Sequence, residues 1–424
     1  MPNRLYFAER IPLTRRGRER AAAGRERDML IKRLEVKGFK SLRDVVWEPG
    51  PLTVVIGPNG SGKTNLLYTL DLLKHSSTGT LEDAIQRIGG VHSVFWDSTE
   101  TDVTLSALLD ISRTFVGNEL LAAEYIIGLR TFFWNNSYDI IFEQLKLNVS
   151  NQEQPTMSVS RNNNRGYALA NNAEEILITD TDRTFNRKES MLSRFSSSFD
   201  TAKLNSFVNY FLSSQYISKD FTTTHKADIR RPLITKFEKV LSSDGQNLVN
   251  VLHTIYSENR DFEDNINTAM RAAFGDDFEC LVFPPAADQL IQLRIRWKSL
   301  KREQSMFDLS DGTIRFLFLM TILCHPEPPA LIAIDEPETG LHPSMFPIIA
   351  EYAAEASKRT QVIFSTHSPQ FLDAFSDFDV TTTVTNWRDG ETTVKNLDGE
   401  ALKKWLQHYS LGSLFLSGDL EALA

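Results

Sequence analysis

The chain predicts an α/β fold: a mixed sheet around a strand–loop–helix core, an antiparallel β subdomain and a helical insertion. Three observations predict it. A short apolar strand, Leu52–Ile56, runs into a glycine-rich loop that opens a helix. A second apolar strand, Leu331 to Ile334, ends in the acidic pair Asp335-Glu336. Between them, residues 100–180 read as successive β segments separated by Asn and Gly turn signals.

The loop is Gly57-Pro58-Asn59-Gly60-Ser61-Gly62-Lys63-Thr64, which satisfies G-x-x-x-x-G-K-[ST] in full. It sits between a strand and a helix running from Lys63 to about His75, the context that the pattern requires. Glycines let successive backbone N–H groups turn onto phosphate oxygens. The helix N-terminus adds positive partial charge. Lys63 is expected to reach the β- and γ-phosphates of ATP, and Thr64 to offer its hydroxyl to Mg²⁺.

Three further elements complete the pattern. Asp335, at a strand end facing Thr64, can hold Mg²⁺ directly or through water. Glu336 can orient and deprotonate the attacking water. Alone, an Asp-Glu-Pro run is also an ordinary turn. Leu309-Ser310-Asp311-Gly312-Thr313 opens a helix through about Leu323, and a helix N-terminus with small residues is an anion site. With Lys63 already on the phosphates, its use lies with the γ-phosphate of a second subunit. Ser310 or Asp311 can equally be a helix cap, and both roles are compatible. Finally, Gln361-Val362-Ile363-Phe364 reads as a strand leading to His367, where a side chain at the C-terminal end of a parallel strand can sense the γ-phosphate.

On these residues the chain resembles the ABC-type ATPases of the SMC and RecF group. More closely, it resembles the compact bacterial ATPases related to the overcoming-lysogenization-defect (OLD) proteins. The resemblance covers roughly Leu30 to the C-terminus. It includes an opening strand ending Gly38-Phe39-Lys40-Ser41-Leu42, the glycine-rich loop, the 309–313 signature, Asp335-Glu336-Pro337-Glu338, Gly340-Leu341-His342-Pro343 and Ser365-Thr366-His367-Ser368-Pro369. Asp311 and Thr313 depart from the LSGGQ usual in transporters, in the manner of the OLD-like and RecF-like branch. The resemblance implies an ABC-ATPase head and head-to-tail dimers with two sandwiched ATP molecules. It implies that Lys63, Glu336 and His367 act in catalysis, and that residues 57–64 and Ser310, Asp311 and Gly312 contact nucleotide. It also implies a Gln contact to Mg²⁺, for which Gln86 is the candidate.

Composition fits a soluble globular protein: 424 residues, 41% hydrophobic and 24% charged. No apolar run long enough to span a membrane is present, and no signal peptide is visible, so a cytoplasmic protein is expected. Cys280 and Cys324 stand in unrelated contexts, which suits a reducing compartment. The net charge of −9 argues against a DNA-coating protein. The first 28 residues differ, with eight arginines against four acidic residues. They read as a basic tail, or a start before Met29, more readily than as a nucleic-acid arm.

The domain reading follows: 1–28 tail, 29–190 a first lobe with loop and antiparallel sheet, 191–285 a helical insertion, and 286–424 a second lobe with signature, acidic pair and His367. The insertion reading rests on helical spacing of Phe207, Tyr210 and Phe211, and later of Leu248, Leu252 and Ile255. The 247 residues from Lys63 to Ser310 sustain no a/d repeat, so no coiled-coil arm is expected. With 57 residues after His367, no appended nuclease domain is expected. Asp377-Phe378-Asp379 reads as a solvated loop.

The sequence thus predicts an ATPase acting across a homodimer, with a separately encoded effector, nuclease or toxin, as the gated partner in anti-phage defence. The alternatives are a RecF-like or SMC-like DNA clamp, which keeps DNA open as a partner, and an ATP-binding scaffold or sensor with little turnover. The long insertion and Asp311 fit a transporter motor poorly.

Overall fold

The computed structural model describes residues 30–96, 100–110, 120–132, 136–149, 156–163, 165–169, 175–179, 186–195, 215–217, 228–286, 289–397 and 409–420. The expected basic tail, and Phe207, Tyr210 and Phe211 of the expected insertion, lie outside them.

Strands β1 (Leu30–Phe39) and β2 (Leu42–Trp47) form a hairpin, and β3 (Leu52–Ile56) leads to α1 (Lys63–Thr78) and α2 (Leu81–Arg87). Then come β4 (Asp102–Asp110), β5 (Leu120–Phe132), β6 (Ser137–Val149), β7 (Thr156–Asn162), β8 (Arg165–Leu169), β9 (Glu175–Thr179), α3 (Met191–Phe195) and β10 (Gln215–Ile217). The next stretch holds β11 (Leu233–Ile234), α4 (Leu248–Glu258), α5 (Arg260–Phe274), β12 (Phe278–Val282), β13 (Leu290–Ile291), β14 (Arg294–Trp297), β15 (Gln304–Ser305) and α6 (Asp311–Leu323). The chain closes with β16 (Leu331–Asp335), α7 (Phe346–Ala356), β17 (Gln361–Thr366), α8 (Pro369–Asp373), β18 (Thr381–Arg388), β19 (Glu391–Asn396) and α9 (Leu411–Leu416).

Two sequence expectations are corrected. The opening strand ends at Phe39 and not at Leu42: Lys40-Ser41 form a hairpin turn, with Lys40 left-handed at φ 47°, and Leu42 already begins β2. The described part of 200–275 is α-helical only from Leu248, preceded by one 3-10 turn at Asp228–Arg230; residues 235–247 are turn and irregular chain. Asn259 separates α4 from α5, and its side chain accepts from the Phe262 amide at 2.9 Å to cap α5.

The chain divides into two compact units that interleave along the sequence. One, the loop unit, holds Glu26–Tyr216, Pro329–Asp335 and Thr360–Ala424; the other, the signature unit, includes Ile217–Pro328 and Glu336–Arg359. The consecutive segments expected from sequence are therefore not the compact units: β17 pairs with β3 and β16 with β17, although about 275 and 305 residues separate β16 and β17 from β3 in the chain.

In the loop unit an eight-stranded antiparallel sheet has the order β2-β1-β4-β5-β6-β7-β8-β9, and a six-stranded sheet the order β10-β16-β17-β3-β18-β19. Alternating burial along β4 matches one face on the core. By contrast β3, β16 and β17 are buried at every residue, as expected of central parallel strands. One hydrophobic core joins the two sheets and α1, taking in Leu66, Leu70 and Leu73 of α1 with Leu105 and Tyr125 of one sheet and Ala333 and Ile363 of the other. Buried Gln361 stitches the sheets, accepting from the Ile31 amide at 3.0 Å and donating to the Ile31 carbonyl at 3.1 Å. The Trp47 indole donates to Thr383 at 3.0 Å and does the same between β2 and β18.

In the signature unit α6 is the central helix, buried from Thr313 to Leu323. Its Phe316 ring meets Phe274 at 5.9 Å, and Phe274 meets Trp297 at 6.1 Å, both edge-on. The Tyr352 hydroxyl of α7 donates to the Asn265 carbonyl of α5 at 3.1 Å. Among the described residues, no helix is long and apolar enough to cross a membrane.

Candidate nucleotide site

Strands β16, β17, β3 and β18 run parallel, so their C-terminal ends share one edge of the sheet. Asp335 is in register with Ser365, and Thr366 with Ile56. The glycine-rich loop leaves β3 at that same edge, the place where open α/β sheets bind ligands.

Packing tightens the loop. Gly57 has room for no side chain, since a Cβ there would lie 2.2 Å from the Thr385 carbonyl. Gly62 is left-handed at φ 98°, and a Cβ there would lie 2.2 Å from the Thr392 hydroxyl. Ser61 shares a 2.7 Å hydrogen bond with Thr385. The Lys63 ammonium, 5% exposed, donates to the Gly57 carbonyl at 2.7 Å and the Pro58 carbonyl at 2.9 Å. It is therefore tied back to the start of its own loop.

Asp335 is fully buried. A carboxylate there needs partners, because an uncompensated buried charge costs several kcal/mol, about 3–5 when one partner of a pair is lost. Thr64 donates its hydroxyl to Oδ2 at 2.9 Å, and Ser365 donates to Oδ1. A hydroxyl whose proton is taken by a carboxylate keeps its lone pairs for a cation. Thr64 and Asp335 are thus hard oxygen donors suited to Mg²⁺, which typically takes one or two carboxylates and draws its other ligands from water and phosphate. Consistent with that sparse donor set, no group of three or more His, Cys, Asp or Glu forms a metal cage among the described residues.

The chain passes from the loop unit to the signature unit between Asp335 and Glu336. Glu336 is left-handed at φ 48°. For a non-glycine residue that conformation costs of order 1 kcal/mol, and such strain gathers at functional sites. Its carbonyl accepts from the Thr339 amide at 3.2 Å, closing the turn that follows β16. His367 is exposed, one residue past the end of β17. There the Thr366 hydroxyl accepts from the Ser368 amide at 2.9 Å, while Ser368 caps α8.

In the signature unit Ser310 is the N-cap of α6, its hydroxyl accepting from the Thr313 amide at 3.0 Å. That bond contributes about 1 kcal/mol to the helix end. Gly312 is pressed against the loop after Glu336: a Cβ would lie 2.6 Å from the Gly340 carbonyl. The capping role read for Ser310 is thus the one its hydrogen bonds display.

Residues 52–373 match the family described as "AAA domain, putative AbiEii toxin, Type IV TA system". The chain belongs to that family. It is an AAA-domain chain whose fold resembles an SMC ATPase head. The fold is similar to that of an Smc head solved with the C-winged helix domain of ScpA, at TM-score 0.54 and 16% identity, covering 88% of this chain and 99% of that one. It is also similar to an Smc head with an extended coiled coil, derived from Pyrococcus furiosus and bound to the C-terminal domain of ScpA (TM-score 0.52, 14% identity, 89% and 99% covered). A 44-residue stretch is 50% identical to an OLD nuclease of Thermus scotoductus; the match spans 10% of this chain and 8% of that relative.

Within this AAA-domain chain, Lys63, Thr64 and Asp335 come together, with Ser365 as a partner to which sequence reasoning gave no role. Gln86 does not join them. It lies exposed on α2, and among the described residues no hydrogen bond ties it to Thr64 or Asp335. The geometry therefore gives Gln86 no part in a cation site. Thr385 and Thr392 were also missed, although four threonines within 381–385 were a signal that polar β-branched side chains line a strand beside β3. Arg230, described below, carries no sequence signal.

Proposed function

We propose that the chain hydrolyses ATP as the regulatory subunit of a bacterial anti-phage system in the cytoplasm, closing head-to-tail on a second copy and gating a separately encoded nuclease or toxin. The observation that carries the catalytic part is the buried Asp335 carboxylate at the end of β16, held by the Thr64 hydroxyl from the first turn of α1. In this reading Lys63 and the amides of residues 57–64 bind the phosphates. Thr64 and Asp335 hold Mg²⁺, which when bound neutralises charge developing on the phosphates. Glu336 takes the proton of the attacking water, and His367 contacts the γ-phosphate. Ser310, Asp311 and Gly312 face the nucleotide of the other copy. The family description names a toxin, and the short OLD nuclease match points the same way, towards ATP control of a damaging activity.

The test compares wild type with Glu336→Gln. Losing a general base slows turnover by about 10²–10⁴-fold, while two bound ATP molecules still favour the closed dimer by mass action. Light scattering with MgATP should therefore find the variant more dimeric than wild type. Wild-type turnover in the variant removes the base assignment. In cells, phage protection should need both Glu336 and a neighbouring gene; protection by the chain alone contradicts the gating role.

The Smc-head likeness favours a second reading, a DNA clamp. It requires turnover stimulated by DNA and weakened steeply by salt. The net charge of −9 supports the first reading over this one.

A further inference from the structure

Asp311 is an oddity of the signature: it puts a carboxylate, its side chain 56% exposed, in the first turn of a helix whose N-terminus is proposed to meet a phosphate. Unanswered, that charge repels an anion and cancels the helix's own positive end. The structure supplies an answer in Arg230, which the sequence did not single out. Its side chain is 1% exposed, and one guanidinium arm donates to the Asp311 carboxylate. The other arm donates to the Leu309 carbonyl at 2.7 Å, the Met306 carbonyl at 2.9 Å and the Phe307 carbonyl at 3.3 Å. One buried cation thus grips both the acidic side chain of the signature and the turn that delivers the chain into it. All these residues belong to the signature unit.

A rigid planar fork suits that double duty; a lysine would offer a point charge with no fixed geometry. The cavity beside it, about 150 Å³, is lined by Arg230 with Arg231, Leu293, Ser305, Met306 and Phe307, so the guanidinium stands at the wall of an open space and not in a closed core.

We infer that Arg230 is a positioning residue for ATP turnover: it neutralises Asp311 and fixes Leu309-Ser310 so that the signature can accept a phosphate from outside its own unit. This rests on the proposal that the signature acts on the nucleotide of a second copy. Arg230 would touch neither nucleotide nor metal, so it should leave ATP binding to the single subunit intact.

The experiment measures ATP affinity, ATP-driven self-association and turnover in wild type, Arg230→Ala, Asp311→Asn and the double variant. Arg230→Ala should bind ATP within about threefold of wild type yet turn over at least about tenfold more slowly, the scale of one lost charge-assisted contact. Adding Asp311→Asn should recover part of that loss, since it removes the stranded carboxylate. Raising salt should also recover part of it in Arg230→Ala alone, by screening. A purely structural role would give neither rescue. Equal turnover in wild type and Arg230→Ala, or a double variant no better than Arg230→Ala, overturns the inference. Should Arg230→Ala fail to fold, Asp311→Lys decides: two facing cations should abolish turnover, and wild-type turnover there overturns the inference. A wild type that does not self-associate with ATP overturns the dimer reading and this inference together. A wild type that closes, beside an unaffected Arg230→Ala, overturns the inference alone.

Discussion

The two units use polar residues in opposite ways. In the loop unit they turn on one another: Thr64 and Ser365 on Asp335, Ser61 on Thr385, and Lys63 on its own loop. The resulting pocket edge is buried and assembled within the unit. In the signature unit Ser310 and Asp311 bond inward, to the α6 amide and to Arg230. The contrast teaches that polar groups of the first unit gather at the end of a buried strand and its loop, whereas those of the second brace a helix end.

Breaking the loop side should have the largest effect. Lys63→Ala removes an ammonium bonded to the loop, and charge-assisted contacts contribute about 1.5–3 kcal/mol each. Equilibrium binding of a fluorescent ATP analogue should weaken at least about tenfold to a hundredfold. Near wild-type affinity would mean that the lysine points elsewhere when nucleotide binds.

Breaking the signature side should separate binding from turnover. Ser310→Arg loses the cap, about 1 kcal/mol of stability by melting, and places bulk and charge at the helix end. ATP binding should persist while hydrolysis stops. Mixed with Lys63→Ala, some activity should return, because a mixed dimer keeps one composite site with both elements intact. If Ser310→Arg does not bind ATP as a single subunit, the division of labour between units fails.

The smallest effects are in pH response, and they differ in sign. In the loop unit burial pushes the Glu143 carboxyl up, against the Leu192 and Met191 amides, the Tyr125 hydroxyl and nearby Arg161, which favour its charged form. The folded state then holds the proton longer than the unfolded chain. Stability from this group is present at acid pH and is lost as pH rises above the usual glutamate value of about 4.5, at no more than about 1.4 kcal/mol per pH unit. Glu143→Gln should flatten that decline in thermal melts. In the signature unit burial lowers His325, whose Nε2–H donates to the Lys239 carbonyl while Nδ1 accepts from the Glu327 amide. Here the folded state stays neutral, so stability is present above about pH 6.5 and is lost as pH falls below it. His325→Gln should flatten the curve on that side only. A variant of either residue whose pH profile matches wild type removes the group from the account.

The loop, the apolar strand before it and the acidic strand end were legible because each is a short run of adjacent residues with its own chemistry. The strands of the eight-stranded sheet were legible as β segments, apart from β2 and β8, which are short or polar; β11, β12, β15 and β19 were not read. Of the helical insertion, the spacing of Leu248, Leu252 and Ile255 falls on α4, which packs against α6, while α5 packs against β12; Phe207, Tyr210 and Phe211 lie outside the described residues.

What the sequence determined by itself is local. A strand must end where Asp335 begins, a helix must start at Lys63, and Ser310 is free to cap α6, because backbone preference and neighbouring side chains settle such questions within a few residues. Only tertiary structure decided which distant residues meet. Ser365 reaches Asp335 because two strands align in register. Gln86 is left outside because α2 leaves its side chain in solvent. Arg230 reaches the signature from some 80 residues upstream because a buried guanidinium must find oxygen partners wherever the fold provides them. Pairing across such distances depends on register and burial, which no short run of sequence contains.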